Sequence, residues 1–381
     1  MMAYSCRILA DSGNIIGRKS YRLTTFEISF PRMVLAEFNT HTVLSRNSAS
    51  SRAIPVKKQL RLVLDDPYIP FFWGKNVPGM QAPEQISAER IHEAEAIWLR
   101  ARNKAALSAM ELLAGTVVFS QICRDIYGFP IGEFTDLSMN NQLVLLPRLI
   151  DSTIELLDDA HRANERLDVH KQLANRLLEP FMWHRVITTG TEWDNFFALR
   201  CHNDAQPEIR VIAEMMRDLY GKTLPGDSAS NRADFAPYRE WLLADHSPST
   251  PKILKPGEWH TPLMSEEQRQ SYGVDWDIAR DISVGRCARV SYLTHEGRED
   301  WEADVELAER LRGSGHMSPY QHVGTPMHGD DILTLVEHFA TSSAQQITQY
   351  DWSGNFRGFK QYRKLLPHEY DFTEVRELEF S

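Results

Sequence analysis

The run ISAERIHEAEAIWLRARNKAALSAMELL sets the strongest limit on what this chain can fold into. Its apolar residues recur at helical spacing and it holds no proline, so it reads as one long helix from about Ser87 to Leu113. Two more helices are expected between residues 140 and 178, ending at LLEP. WDNFFALRCHNDAQPEIRVIAEMMRD (193–218) reads as helical on both sides of Pro207, which suits the first turn of the second piece. Strand character shows in YRLTTFEISFPRMVLA. Residues 20–36 alternate and then turn continuously apolar, which predicts a strand followed by a helix starting near Pro31. A small sheet flanked by long helices places the chain in the α/β (α+β) class.

Hydrophobic content of 42% and charged content of 25% suffice for a sizeable core. A formal charge of −10 argues against non-specific wrapping of nucleic acid, which needs a basic surface, but leaves room for a few clustered arginines around one small anion. No apolar run is long enough to span a membrane, and MMAYSCRILADSG lacks a signal-peptide core. Cys6, Cys123, Cys201 and Cys287 show no CxxC spacing, so reduced thiols in a cytoplasmic protein are expected, with no disulfide frame and no metal site.

Three stretches organise the chain: 1–220, a connector at 221–265 rich in Pro, Ser and Asp that is expected to cross the surface, and 266–381. The last part holds a short apolar stretch (CARVSYL), a helix at about 299–313, the turn GHMSPYQH, a helix at about 330–340, and NFRGFKQYRK. Gly315 is expected to end the first of these helices.

Candidate chemistry concentrates in EFNTHTVLSRNSASSR (37–52). Six Ser or Thr hydroxyls, two Asn, a His and two Arg fall within fourteen residues. Hydroxyls and backbone N–H groups cradle anions, and Arg adds a planar fork for phosphate oxygens. Ser48, Ser50, Ser51 and Arg52 therefore suit a phosphate; the competing reading is a cluster of caps and turns. Arg176 lies in an otherwise apolar helix, and Asn195 and Arg200 stand five apart around FFAL. Each such Arg either snorkels to solvent or is paired, with an internal carboxylate such as Glu208 or with a ligand. His316, Ser318, Gln321 and His322 form a polar knot around Pro319, without metal-ligand spacing. Arg357, Lys360, Arg363 and Lys364 alternate with aromatics, as a nucleotide-stacking segment or a solvated basic face would.

Together these stretches resemble the flavin-dependent thymidylate synthases. CARVSY (287–292) and GHMSPYQH (315–322) are similar to that family's AARVS and GHxTPFEH segments. THTVLSRNSASSR (40–52) is similar to its RHRxxSxNExSxR signature, keeping the His, the first Ser, the Asn and the final SxR. NRLLEP (175–180) and NFFALRCHNDAQ (195–206) are similar to its ARIxLP and N-(x)4-R-(x)5-Q helices. The order differs, because the AARVS and GHxTPFEH block comes last, so the chain looks like a circular permutation of the family's catalytic unit. The matching blocks cover about 130 residues. Thr40 and Thr42 stand where the signature has arginines, Ser48 and Gln321 where it has acids, and Glu37 where it has a Gln. Arg46, Arg357 and Arg363 are candidates to replace the lost charges.

The resemblance implies a small, mostly antiparallel sheet and C5-methylation of dUMP. Methylenetetrahydrofolate would be the carbon donor, reduced FAD the hydride donor and NADPH the reductant. It implies Arg200 and Ser50 in catalysis. Ser48, Ser50, Ser51, Arg52, Arg176 and Arg200 would hold the pyrimidine nucleotide, and His41, Arg46, Asn195, His316 and Ser318 the flavin. It also implies a homotetramer with shared sites, acting on a small molecule away from nucleic acid and membrane. Alternatives are a C5-methylase or hydroxymethylase of dCMP or UMP, a nucleotide- or flavin-binding homologue without turnover, and a purely structural oligomer.

Overall fold

The computed structural model describes residues 4–367 and 369, apart from 80, 81, 83, 129–136, 160–165, 168, 223–231, 245, 330 and 332–350. β1 (Ser5–Ile16) and β2 (Lys19–Pro31) form an antiparallel hairpin. Its two-residue turn opens on Gly17, whose φ of 61° a glycine adopts without steric cost. β3 (Ser45–Ser48) and β4 (Trp183–Gly190) add antiparallel strands, and β5 (Lys252–Ile253) pairs parallel with β1. Among the described residues the sheet order is β3-β4-β2-β1-β5.

The sheet is covered on both faces, for opposite chemical reasons. Along β2, Phe26, Ile28 and Phe30 point one way, into a core shared with Trp193, Phe196, Phe197 and the helix Pro207–Tyr220. Thr25, Glu27 and Ser29 point the other way, as the two-residue period of a strand requires. Such polar positions usually face water. Here they are buried, because the last third of the chain lies over them and supplies hydrogen-bond partners. His260 meets Thr25 at 2.8 Å, and His295 meets Glu27 at 2.5 Å.

In chain order the helices are α1 (Leu35–Asn39), α2 (Val56–Asp65), α3 (Ala88–Ala114), α4 (Thr116–Tyr127) and α5 (Met139–Asp158). A helical stretch at 171–181 follows, then α6 (Asp194–Arg200), α7 (Pro207–Tyr220), α8 (Ala236–Leu242), α9 (Glu266–Tyr272), α10 (Trp276–Arg289), α11 (Glu302–Gly313) and the short α12 (Tyr362–Leu365). Helices α2 to α5 and the 171–181 stretch build a second core around Met110, Phe119, Leu149 and Leu178. The long helix expected at Ser87–Leu113 is α3, and Pro207 occupies the first turn of α7 as expected. No single helix among the described residues is long and apolar enough to cross a membrane.

The last third departs from the sequence reading in detail. CARVSYL continues α10 into a turn of 3-10 helix at Val290–Tyr292. The helix expected at about 330–340 lies outside the described residues. The described part of the connector includes α8 and β5, and it buries His260 and Thr261. Helix α11 ends on Gly315 at φ 69°, with His316 N bonded to Leu311 O and Gly315 N to Arg312 O. That Schellman pattern aims the following turn at β3. Helices α10 and α11 cross closely at Gly285, where any Cβ would collide with the Asp304 backbone. All four cysteines are buried and unpaired.

Candidate functional site

β3 is the edge of the sheet, and its free side receives the turn after α11. Ser318 Oγ donates to Asn47 Oδ1 at 2.6 Å, and Gln321 Nε2 donates to Arg46 O at 2.9 Å. Asn47 Nδ2 donates to Cys287 O at 3.3 Å, and Ser50 N to Ser291 O at 3.0 Å. Segments about 240–270 residues apart in sequence are thereby fastened into one wall.

Burial along residues 45–52 alternates strictly. Ser45, Asn47, Ala49 and Ser51 are buried, while Arg46, Ser48, Ser50 and Arg52 are half-buried or exposed. Within β3 the period of two turns Arg46 and Ser48 to one side, and Ser50 and Arg52, at the turn that follows, open on the same side. They face a cleft of about 930 Å³, whose other walls carry Arg289, Ser291, Tyr292, Arg310, His316 and Ser318, with His170 at the rim. That volume is within the range of small-molecule sites. Among the described residues, four arginines and two histidines line it, and no Asp or Glu does. Such a cleft concentrates anions.

The arginines are not equivalent. Arg289 is clamped at 2.6 Å to Asp304, a fully buried carboxylate that also takes Arg298 at 2.8 Å and the buried Arg286 at 3.2 Å. Arg46 spends its Nη1 on Phe38 O and His41 O, each at 3.3 Å. Arg52 and Arg310 are the exposed pair and the ones best placed to meet a ligand phosphate.

The structure thus brings Ser48, Ser50, Arg52, Arg46, His316 and Ser318 to one cleft. Other expected site residues lie elsewhere. Ser51 points away from the cleft, and its Oγ donates to Glu179 Oε1 at 3.1 Å. Arg176 is exposed and stands 3.7 Å from that same carboxylate. His41 and Arg200 meet each other at 2.9 Å. Burial, then the neighbouring Arg200 and Arg46, holds the His41 imidazole down at about 4. Asn195 is exposed on α6. The C-terminal cations are taken up by local acids. Arg357 pairs with Asp351 and Lys360 with Asp331, while Arg363 and Lys364 both pair with Glu369. Arg357 and Arg363 therefore do not line the cleft, and Arg46 is the proposed substitute that does.

Arg289, Tyr292 and Arg310 line the cleft without having been singled out in the sequence. The first two sit within the quoted CARVSY block. Arg310 carries no local signal, because an arginine on an amphipathic helix looks like any surface residue.

A carboxylate-histidine group, Glu27, His295 and Glu296, also converges in space. Arg7 stands 2.5 Å from Glu27, and Arg185 stands 2.7 Å from Glu296. Guanidinium groups already neutralise both acids, which disfavours a cation there.

Residues 22–226, more than half of the chain, match the family model described as Thy1, thymidylate synthase complementing protein. The matched span includes the signature segment, NRLLEP and the α6–α7 region, and it ends before CARVSY and GHMSPYQH. No curated protein and no solved structure matches.

Proposed function

The chain belongs to the thymidylate synthase complementing protein family, the flavin-dependent thymidylate synthases, and on that premise we propose that its cleft holds a pyrimidine nucleotide for C5-methylation. The substrate is dUMP, the carbon donor methylenetetrahydrofolate, and the reductant NADPH. The observation that carries this reading is the cleft lined, among the described residues, by four arginines and no carboxylate, walled by the signature segment on one side and the CARVSY and GHMSPYQH blocks on the other. A nucleotide phosphate fits the Ser48, Ser50 and Arg52 edge, where hydroxyls and a free guanidinium converge.

FAD fits the same chemistry, since its phosphates are anionic and the cleft is large enough for more than one mononucleotide-sized group. When bound, reduced FAD supplies the hydride. The chain's own contribution is to bind, orient and stabilise charge. Ser50 and Arg52 grip the 5′-phosphate, and that remote grip positions the base. Arg46, His316 and Ser318 line the same cleft. Cations fixed in advance favour negative charge developing on the pyrimidine oxygens as C5 becomes nucleophilic.

Arg200, His41 and Asn195 stand apart from the cleft, and Arg46 bridges the two groups. Val43 is 43% exposed and Leu199 53% exposed, and they flank His41 and Arg200 in sequence. That apolar margin suits a second copy of the chain, whose cleft Arg200 would then complete, in keeping with a homotetramer of shared sites. The order of the blocks is that of a circular permutation. Ser318 bonding Asn47 supports this, since the last block sits against the signature despite its place in the chain.

The purified protein is expected to show a bound-flavin band in its visible absorption spectrum. A colourless protein that also fails to take up added FAD would contradict the flavoenzyme reading. Arg52→Ala removes a charge-assisted hydrogen bond worth roughly 1.5–3 kcal/mol. The dUMP dissociation constant, read by calorimetry, should rise roughly tenfold to hundredfold. Unchanged affinity would place the phosphate elsewhere.

A further inference from the structure

A second cleft carries the opposite chemistry to the first. It encloses about 580 Å³ between the 70–74 segment, α3, the start of α7 and Phe235. Phe72, Trp73, Trp98 and Phe235 line it, together with the carboxylates of Asp204 and Glu208. Among the described residues no Lys, Arg or His does. Its volume is within the range of small-molecule sites.

Local packing fixes the aromatic walls. Gly74 lies so close to Ala82 that a Cβ there would stand 2.3 Å from the Ala82 methyl. Lys75 N donates to Glu84 O at 2.8 Å, and Ile86 N to Trp73 O at 2.9 Å. The loop closed in this way carries Trp73, whose ring meets that of Trp98 edge to face at 6.1 Å and 83°. Trp98 Nε1 donates to Tyr68 O at 2.8 Å. Phe72 packs on Phe235 at 5.9 Å and 68°. The rings thus hold one another in place while they line the cavity.

Glu208 is the group that packing does not satisfy. It is 4% exposed, and its Oε1 accepts from the Tyr68 hydroxyl at 2.8 Å. Its Oε2 has no hydrogen-bond or ion-pair partner among the described residues. The sequence offered Glu208 as an internal partner for an arginine, yet no described guanidinium meets it. Its place in the first turn of α7 favours the negative charge. A buried carboxylate held by one neutral hydroxyl is costly until a cation completes it.

We propose that this cavity binds a small organic cation, an alkylammonium or guanidinium group on an apolar or aromatic body, with Glu208 as its counter-ion. Aromatic rings attract such cations, most strongly where water is excluded. Asp204 is exposed and adds to the attraction before entry. The arginines of the first cleft repel the same ligand, so the two clefts divide ligands by the sign of their charge. The proposal stands apart from the reading of the first cleft as a nucleotide site.

The test is calorimetric titration of the purified full chain with phenethylammonium and with 2-phenylethanol, which has the same ring and chain but no charge. The expected result is saturable binding of one phenethylammonium per chain, about tenfold or more tighter than the alcohol. Glu208→Gln keeps an acceptor for Tyr68 and removes the charge, so cation affinity should fall about tenfold or more while alcohol affinity holds. Trp73→Leu takes away one wall at a half-buried position and serves if Glu208→Gln does not fold; it should weaken cation binding severalfold. Affinity for dUMP should be the same in both variants as in the wild type. Equal affinity for the amine and the alcohol, or cation binding unmoved by the substitutions, would overturn the assignment. If dUMP and FAD fail to bind while the cation result holds, the functional reading of the first cleft fails and the cation site survives.

Discussion

Asp304→Asn is expected to lower stability by about 3–5 kcal/mol, the typical consequence of removing one partner from a buried ion pair. The side chain is fully buried where α10 and α11 cross, and three guanidinium groups depend on it. Asn preserves the shape but takes away the charge. Arg286, 2% exposed, would keep its bonds to Leu263 O and Gln268 Oε1 and lose its counter-ion. Relaxation is limited, because Gly285 already lets the two helices touch backbone to side-chain position. Arg289 would lose its clamp as well, so the cleft wall should loosen along with the fold. Denaturant unfolding reads the change as a lower midpoint with an unchanged slope. A loss under about 1 kcal/mol would mean that the three arginines find other partners, and that Asp304 does not organise that wall.

Acid should unfold the protein well above the carboxylate range. A hydrogen-bonded chain crosses the buried polar face of the sheet. Ser12 Oγ meets His260 Nδ1 at 2.8 Å, and His260 Nε2 meets Thr25 at 2.8 Å. Thr25 meets Thr189 at 2.7 Å, and Thr189 meets His322 Nδ1 at 2.8 Å. Burial holds both imidazoles down at about 3; a charge on His260 further opposes one on His322, while Asp11 acts the other way on His260. Unfolded histidines titrate near 6.5. Between those values the unfolded chain binds protons that the folded one refuses, so stability falls as pH drops through that window. Going from about pH 7.5 to about pH 5, each histidine contributes a loss of roughly 2 kcal/mol, about 4 kcal/mol together. His184, pushed well down by burial and by Arg32, acts in the same direction. Denaturant midpoints across that range should fall steadily. Stability that is flat or rising toward pH 5 would show that these rings are charged or solvated in the fold.

Regular elements were the most legible part of the sequence. Proline-free periodicity marked α3, and the position of Pro207 marked the start of α7, because both are local properties of the chain. The hairpin strand β1 was not read from SCRILADSGNII, whose buried positions do not alternate cleanly. Its strand state depends on pairing with β2 and β5. The direction of side chains was harder still. Ser50 and Ser51 are chemically alike, yet one faces the cleft and the other Glu179. Strand alternation does not reach them, because β3 ends at Ser48 and the two serines enter the turn that follows. Arg176 and the C-terminal cations could not be sorted that way either. Their partners Glu179, Asp351 and Glu369 are chosen by tertiary packing. The burial of Thr25 and Glu27 also escaped a local reading, since polar residues alternating along a strand ordinarily predict a wet face.

The most direct test of the central claim is a product assay on the purified chain. The protein is incubated with methylenetetrahydrofolate, FAD and NADPH and with dUMP, dCMP or UMP in parallel, and the nucleotides are weighed by mass spectrometry. The account predicts a methylated product from dUMP, lost in Arg52→Ala at limiting substrate. Product from dCMP or UMP in place of dUMP would keep the cleft and change its base. A chain that binds flavin and nucleotide yet leaves the mass of all three unchanged would contradict the assignment of C5-methylation.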